Sequence, residues 1–267
     1  MIRVGLCSSA CITRNAKEII AVAAASGLDA IEWAQDVHIG SGDLGVAEEL
    51  MITTLTAGLT TASYSTLYRA GAADEGYRRF DALLAVASVL QAPILRVYTG
   101  CERHSGADGR RRSDLLAQLD RLGDRAALKG ITLCLSMGRG TGFSNYGFAL
   151  SLVTEAKHPF VRLAWEDLPE ASSAEASVAL ERAKNEAGII IARQADRDGR
   201  PRTIAADLEA WRSRLASFKS AETDTRLGRF VLLGAQRAEG EAGSDSLAAD
   251  AAALHSLLAE LEPRKKR

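Results

Sequence analysis

Cysteine, proline and aromatic residues are scarce in this sequence. Four cysteines and five prolines occur among 267 residues, and phenylalanine, tryptophan and tyrosine together make up 5%. The cysteines, Cys7, Cys11, Cys101 and Cys134, lack the spacing of a disulfide framework. No apolar run approaches the length of about 18 residues that a transmembrane helix needs, and the apolar start is too short for a secretory signal. We therefore expect a cytoplasmic protein.

A strong excess of one charge is missing as well. The 33 lysines and arginines against 34 aspartates and glutamates give a formal net charge of −1. No global field therefore draws the chain to nucleic acid or to a membrane surface. The basic run 264–267 falls in the segment 263–267, which we interpret as a solvated basic C-terminal tail. A small molecule is the expected partner, without nucleic acid or membrane.

Short apolar runs alternate along the chain with longer stretches of helical period. The predicted strands are Ile2–Cys7, Ala30–Trp33, Thr61–Ser65, Ile94–Tyr98, Thr132–Leu135, Val161–Trp165, Ile189–Arg193 and Phe230–Leu233. A helix is predicted after each of them. Gly27, Gly58, Gly130 and Gly188 each follow a predicted helix and precede a strand, which is where glycine commonly ends a helix.

Eight such units without a break in composition predict one (β/α)8 TIM barrel over residues 1–262. The strands are almost continuously apolar, as in a parallel sheet that is covered on both faces. The alternative is an open doubly wound sheet, which calls for a glycine-rich G-x-G-x-x-G turn after the first strand. The sequence there is "CSSACITRN", so the barrel is favoured.

In such a barrel the functional side chains lie at the carboxyl ends of the strands, here called the mouth. The residues there are polar, aromatic and rich in arginine, which suits a small hydroxylated or anionic ligand. The candidate acid and base groups are Glu32, His38, Glu166 and Asp167. The candidate substrate-binding residues are Tyr64, Arg96, Tyr98, Ser136, Arg139, Trp165, Arg193 and Gln194.

Some of these residues also fit a structural role. Glu32 and Arg96 lie inside predicted strands, and an ion pair between them would account for both charges. His38 in "DVHIGSGD" is also compatible with a hydrogen-bonded loop residue, and Trp165 with packing. Because adjacent strand residues point to opposite faces, Glu166 and the following carboxylate are only weakly indicated as an acid–base pair.

The segment "GLDAIEWAQDVHIGSGDLGVAEEL…AGLTTASYSTLYRAG" resembles the sugar phosphate isomerase/epimerase family, the xylose isomerase-like barrels related to endonuclease IV. The resemblance continues through "LQAPILRVYTG", "VRLAWEDLP" and "AADAAALHSLL" and covers the chain in order. It implies a barrel enzyme that binds a divalent metal. In the family, strand 5 supplies a glutamate, strand 6 an aspartate, strand 7 a histidine and strand 8 a glutamate, and the two glutamates also move protons at the substrate carbons.

Three of these four positions differ in this sequence. They fall on Ser136, on Arg193 or Gln194, and on Gly234, while strand 6 keeps an acid as Glu166 or Asp167. Hard divalent cations need several oxygen or imidazole ligands. If Arg193 points inward, it would repel a dication at ~4 Å by about 8 kcal/mol at an effective dielectric constant of about 20. We therefore expect no metal and no other cofactor.

Two functions of different classes remain. The first is a metal-independent enzyme that isomerises, epimerises, dehydrates or cyclises a carbohydrate-like substrate, with carboxylates for acid–base chemistry and Arg96 and Arg193 for a developing oxyanion. The second is a non-catalytic barrel that binds a small ligand or a partner protein. Nucleic-acid repair, by analogy with endonuclease IV, is disfavoured because the metal ligands and a phosphate-binding field are missing. The family resemblance also allows a homo-oligomer.

Overall fold

Eight parallel strands form a closed barrel in which each strand pairs with the next and β8 pairs with β1. The computed structural model describes residues 1–72, 75–99, 109–137, 145–168, 171–192, 203–222, 228–234 and 241–262. The strands are β1 Ile2–Cys7, β2 Ala30–Ala34, β3 Thr60–Ala70, β4 Ile94–Thr99, β5 Thr132–Ser136, β6 Val161–Glu166, β7 Ala187–Ala192 and β8 Arg229–Leu233. The predicted TIM barrel is confirmed, and the tail 263–267 lies outside the described residues.

The helices follow the strands one by one and cover the outside of the sheet. They are α1 Ala16–Ala25, α2 Leu44–Thr56, α3 Tyr77–Val89, α4 Gly109–Ala127, α5 Tyr146–Ala156, α6 Ser173–Ala183, α7 Leu208–Ser220 and α8 Glu241–Glu260. Short 3-10 turns at Ser8–Cys11 and Ile204–Asp207 lie between strand and helix in the first and seventh units. Among the described helices, none combines the length and apolar character needed to cross a bilayer.

Two apolar clusters separate the inside of the barrel from the layer under the helices. The larger cluster contains residues of both strands and helices, such as Leu6, Ile19 and Leu83. The smaller cluster contains strand residues alone and therefore fills the barrel. Its members are Cys7, Ala30, Ala62, Ile94, Cys134, Ala164, Ile189, Ile191, Phe230 and Leu232. Because side chains alternate along a strand, these residues identify the inward face of each strand.

Glycine ends helices as predicted at three of four positions. Gly27, Gly58 and Gly130 follow α1, α2 and the turn after α4 with φ values of +70°, +77° and +66°, a region that favours glycine. The prediction for Gly188 was wrong, because this residue lies inside β7. A Cβ there would approach Cys134 Sγ to 2.7 Å. The absence of a side chain at Gly188 therefore serves packing between strands.

Candidate active site

A buried ion pair crosses the inside of the barrel. Arg96 Nη2 on β4 lies 2.7 Å from Glu32 Oε1 on β2, although β3 separates these two strands in the sheet. Ser63 donates a hydrogen bond to the other carboxylate oxygen at 2.6 Å, and Arg96 Nη1 donates to Ser136 Oγ at 3.3 Å. The structural alternative considered for Glu32 and Arg96 is thus realised. Four strands of the barrel meet in this network.

Burial and charge act in opposite directions on Arg96, whose side chain is 3% exposed. Burial disfavours the charged guanidinium, but the Coulombic attraction of Glu32 and smaller contributions from Tyr98, Cys7 and Glu166 raise the pKa of Arg96 above its ordinary value. The guanidinium therefore stays protonated. The guanidinium and the Glu32 carboxylate form a charge-compensated pair inside the barrel, and the guanidinium also contacts Ser136 of β5.

Glu166 is the last residue of β6 and points into the barrel. Its residue exposure is 2%, and its carboxylate is near enough to Arg96 to favour the protonated guanidinium. The neighbouring Trp165 belongs to the outer cluster, so the alternation of the strand directs Glu166 inward. Of the two acids at the strand 6 position that the family resemblance implies, Glu166 is the one that faces the barrel interior.

Asp167 lies on the outer side of β6, away from the Glu32–Arg96 pair. Its Oδ2 is 3.2 Å from Nη1 of Arg214 on α7. Burial raises the pKa of Asp167 to about 6; Arg214 lowers it, and Asp207 adds to the increase. The two neighbouring acids of the predicted catalytic set thus belong to different environments. Glu166 faces the barrel interior, and the carboxylate of Asp167 faces helix α7.

Two of the predicted ligand-binding aromatics are packed in the layer under the helices. Trp165 is fully buried there and stacks on Tyr146 with ring centroids 5.9 Å apart. Tyr64 is fully buried in the same cluster, and burial with the nearby charge of Asp36 raises its pKa. Neither ring faces the barrel interior. We therefore leave both out of the site proposed below. Tyr98 is partly buried and acts electrostatically on Arg96, and its role in substrate binding stays a prediction.

His38 links the loops that follow β1 and β2. Its Nδ1 is 3.1 Å from Ser8 Oγ, and its Nε2 is 3.1 Å from the carbonyl oxygen of Arg14. A carbonyl only accepts, so Nε2 carries the proton and Nδ1 accepts from Ser8, whose oxygen also accepts the Ala34 amide at 2.9 Å. Desolvation lowers the pKa of His38, while the Arg14 carbonyl raises it. The neutral imidazole thus joins the two loops through its hydrogen bonds.

Two residues, Ser63 in the Glu32–Arg96 network and Arg214 beside Asp167, were missed in the sequence. A register shift between Ile31 and Glu32 turns Ser63 toward the barrel interior, and nothing in the local pattern of β3 signals this. Arg214 lies on a helix, outside the strand ends where site residues were sought. The predicted site residues Arg139, Arg193 and Gln194 lie outside the described residues.

The described residues do not fit the family's divalent metal. Among them, no group of three or more histidines, cysteines or acids is placed to hold an ion. The strand 5 position is Ser136, which accepts a hydrogen bond from the Arg96 guanidinium, and β8 is followed by Gly234. Glu166 is the one implied ligand position that is an acid among these residues.

Comparison with known proteins bears on the fold. No protein family and no curated protein matches the chain. Among solved structures, L-ribulose 3-epimerase is similar with a TM-score of 0.70 and 15% identity over 100% of both chains. The 3-keto-D-glucoside 4-epimerase YcjR from E. coli has a TM-score of 0.70 and 16% sequence identity over 96% of this chain and 100% of its own. A xylose isomerase-like TIM barrel protein from Mycobacterium smegmatis, in complex with magnesium, has a TM-score of 0.70 and 15% sequence identity over 98% of both chains. The chain thus has the fold of the xylose isomerase-like TIM barrels, as the sequence resemblance predicts.

Proposed function

We propose that this chain is a sugar isomerase/epimerase-like enzyme that works without a divalent metal. In this proposal Glu166 is the base, and the Arg96 guanidinium supplies the positive charge near the reacting carbonyl. The observation that carries it is the inward carboxylate of Glu166 within electrostatic reach of a permanently protonated Arg96. The proposed substrate class is a small polyhydroxylated carbohydrate, because proteins of similar structure include L-ribulose 3-epimerase and 3-keto-D-glucoside 4-epimerase. Nucleic acid and membrane are not proposed as partners, and a cytoplasmic location stays a prediction.

The chemistry begins at the carbon next to the substrate carbonyl. Glu166 takes the proton from that carbon, and the electron pair of the C–H bond moves toward the carbonyl oxygen to give an enediolate. A nearby guanidinium stabilises this negative charge electrostatically, most effectively where water is excluded. The same carboxylic acid then returns the proton to the former carbonyl carbon, while the hydroxyl proton of the enediolate moves to the former carbonyl oxygen, which interconverts aldose and ketose. Inversion at the original carbon requires a second proton donor on the opposite face of the enediolate. Glu32 holds Arg96 in place through the 2.7 Å ion pair.

Deuterium exchange tests the proposed chemistry directly. The protein, treated with EDTA, is incubated in D₂O with a panel of aldoses and ketoses, and ¹H NMR follows the hydrogen next to the carbonyl. We expect exchange with at least one sugar, and a loss of about 10²–10⁴-fold in Glu166→Gln. Glu181→Gln is the control, because Glu181 lies on the surface of α6, where it pairs with Lys184. An unchanged rate in Glu166→Gln would remove this residue as the base.

Metal dependence is tested on the same samples. We expect elemental mass spectrometry to find less than about 0.1 divalent ion per chain, because the described residues bring no three metal-ligating side chains together. Exchange that stops with EDTA and returns with Mg²⁺ or Mn²⁺ would contradict the metal-independent part of the proposal. It would leave the role of Glu166 intact.

A non-catalytic ligand-binding barrel is the second candidate. The observation that favours it is the commitment of Arg96 to Glu32 and Ser136 in a network that is buried throughout. Such a network holds its geometry without a substrate, as a binding site requires. Saturable sugar binding in titration calorimetry, without deuterium exchange in any sugar, would support this candidate over the enzyme.

A further inference from the structure

One arginine outside the barrel contacts both chain neighbours of Glu166. The side chain of Arg214, on α7, is 3% exposed. Its Nη1 donates to Asp167 Oδ2 at 3.2 Å, and its guanidinium carbon lies 5.7 Å from the centre of the Trp165 ring. Trp165 and Asp167 precede and follow Glu166 in the chain. Arg214 therefore holds the outer side of the strand end whose inner side carries the proposed base.

The guanidinium is itself fixed by a set of contacts. Nε donates to Ser177 Oγ at 3.2 Å, and Nη2 donates to the carbonyl and the hydroxyl of Ser173 at 3.1 and 3.0 Å. The Trp211 ring lies under the guanidinium at 4.8 Å. These contacts use Nε, Nη2 and the face of the planar cation, and Nη1 binds Asp167, an arrangement that a lysine cannot reproduce. Arg214 is thus locked between α6 and α7.

A second anchor acts on the same strand end. Tyr146 of α5 stacks on Trp165 at 5.9 Å with an angle of 8° between the rings. Its hydroxyl accepts a hydrogen bond from the Leu168 amide at 3.0 Å. These contacts with the helix layer restrain the backbone on both sides of Glu166. Because side chains alternate along the strand, the Glu166 side chain itself points inward.

We propose that Arg214 is a positioning residue for Glu166. It makes no contact with a substrate; it fixes Trp165 and Asp167 and so holds the Glu166 carboxylate at its place in the barrel. The catalytic consequence rests on the proposed function, whereas the positional consequence does not. A purely structural role, the joining of α6 to α7, would instead stabilise the barrel as a whole.

Amide hydrogen exchange separates these two roles. In Arg214→Met we expect the amides of residues 165–168 to exchange about tenfold faster, because a local anchor is lost, while those of β4 keep their wild-type rates. Arg212→Met is the matched control: Arg212 lies on the same helix and pairs with Glu209 and Glu260 at the surface. Wild-type rates at 165–168, or an equal acceleration in every strand, would overturn the proposal. If Arg214→Met fails to fold, Arg214→Lys and Asp167→Asn are measured by the same criterion.

Kinetics provide the second readout. In a wild type that exchanges sugar hydrogens, Arg214→Lys is expected to lower kcat by about tenfold, since small misplacements of a reacting group are costly. KM should change by less than about twofold, because the substrate contacts are kept. A change in KM alone would overturn the positioning role. If the wild type exchanges no sugar hydrogen, the proposed function fails, and amide exchange at 165–168 still decides where Arg214 acts.

Discussion

At the scale of single residues, the Glu32–Arg96 pair is the most consequential interaction in the barrel. Both side chains are at least 97% buried, so each charge depends on the other for its solvation. Removing one member of a buried pair typically costs about 3–5 kcal/mol, whereas replacing both members by neutral groups can cost little. The pair thus fixes the geometry of the candidate site. It also makes any substitution of only one of the two residues strongly destabilising.

A double-mutant cycle measures this dependence. We expect Arg96→Met to lower the free energy of unfolding by about 3–5 kcal/mol, because Glu32 is left as a buried charge beside Ser63. The double variant Glu32→Gln/Arg96→Met should recover at least about half of that loss. Urea unfolding followed by circular dichroism gives the free energy of unfolding of the wild type, the two single variants and the double variant. Additive losses in the double variant would contradict a coupled pair.

The buried carboxyl of Asp167 gives a prediction about pH. Burial raises its pKa from 3.8 to about 6 in the folded protein, so between about pH 4 and 6 the folded state holds this proton more tightly than the unfolded state does. The contribution of Asp167 to stability therefore falls as the pH rises through this window. At about 1.4 kcal/mol per pKa unit, the wild type should lose about 3 kcal/mol relative to Asp167→Asn between pH 4 and 7. Parallel stability curves for the two proteins would contradict the raised pKa.

Some of the site could be predicted from single residues and some could not. Opposite charges at inward positions of β2 and β4 were enough to suggest the Glu32–Arg96 pair. The placement of Trp165 under the helices follows from the same alternation, once Glu166 is taken as the inward residue. Ser63 was out of reach, because the register shift beside Glu32 changes which residues of β3 face inward, and such shifts leave no signal in composition.

At the scale of helices and strands, local signals carried most of the prediction. Apolar runs located the eight strands to within a few residues, since a strand buried on both faces has to be apolar along its length. The largest difference is β3, predicted as Thr61–Ser65 and observed as Thr60–Ala70. Beyond Ser65 this strand shifts register against β4, and its residues alternate between buried and exposed. The predicted strand ended too early because the residues after Ser65 include polar ones, which do not continue the apolar run.

The capping box at the start of α6 offers a test at this scale. The Ser172 hydroxyl accepts from the Glu175 amide, and the Glu175 carboxylate accepts from the Ser172 amide. We expect Ser172→Ala to lower the free energy of unfolding by about 1 kcal/mol, because an amide of the first turn loses its partner. Ser113→Ala is the control, since Ser113 is exposed within α4 and alanine favours a helix. Equal effects in the two variants would contradict the cap.

At the scale of the whole molecule, the barrel was predictable because every unit repeats the same strand–helix pattern. A closed parallel barrel then places all carboxyl strand ends at one mouth, so the fold alone indicates that mouth as the region of a candidate site. The chemistry at that mouth did not follow from the fold. It depends on which residues end each strand. Here Ser136, Glu166 and Gly234 stand where the family resemblance implies a glutamate, an aspartate and a glutamate.

Closure of the barrel depends on close contact of β1 with its two neighbours, and Gly5 permits that contact. A Cβ at Gly5 would lie 2.6 Å from the Ala30 carbonyl oxygen on β2 and 2.7 Å from Leu232 Cδ2 on β8. The carbonyl belongs to the paired backbone and cannot turn aside, so Gly5→Ala must separate β1 from a neighbouring strand. We expect a loss of about 1–3 kcal/mol in the free energy of unfolding, as for other overpacked cores. Gly45→Ala is the control, because a Cβ there meets only Asp43 Oδ1 at 3.8 Å and alanine in α2 should gain up to about 1 kcal/mol. A stability of Gly5→Ala equal to or above that of the wild type in urea unfolding would show that the seam between β8, β1 and β2 tolerates a side chain.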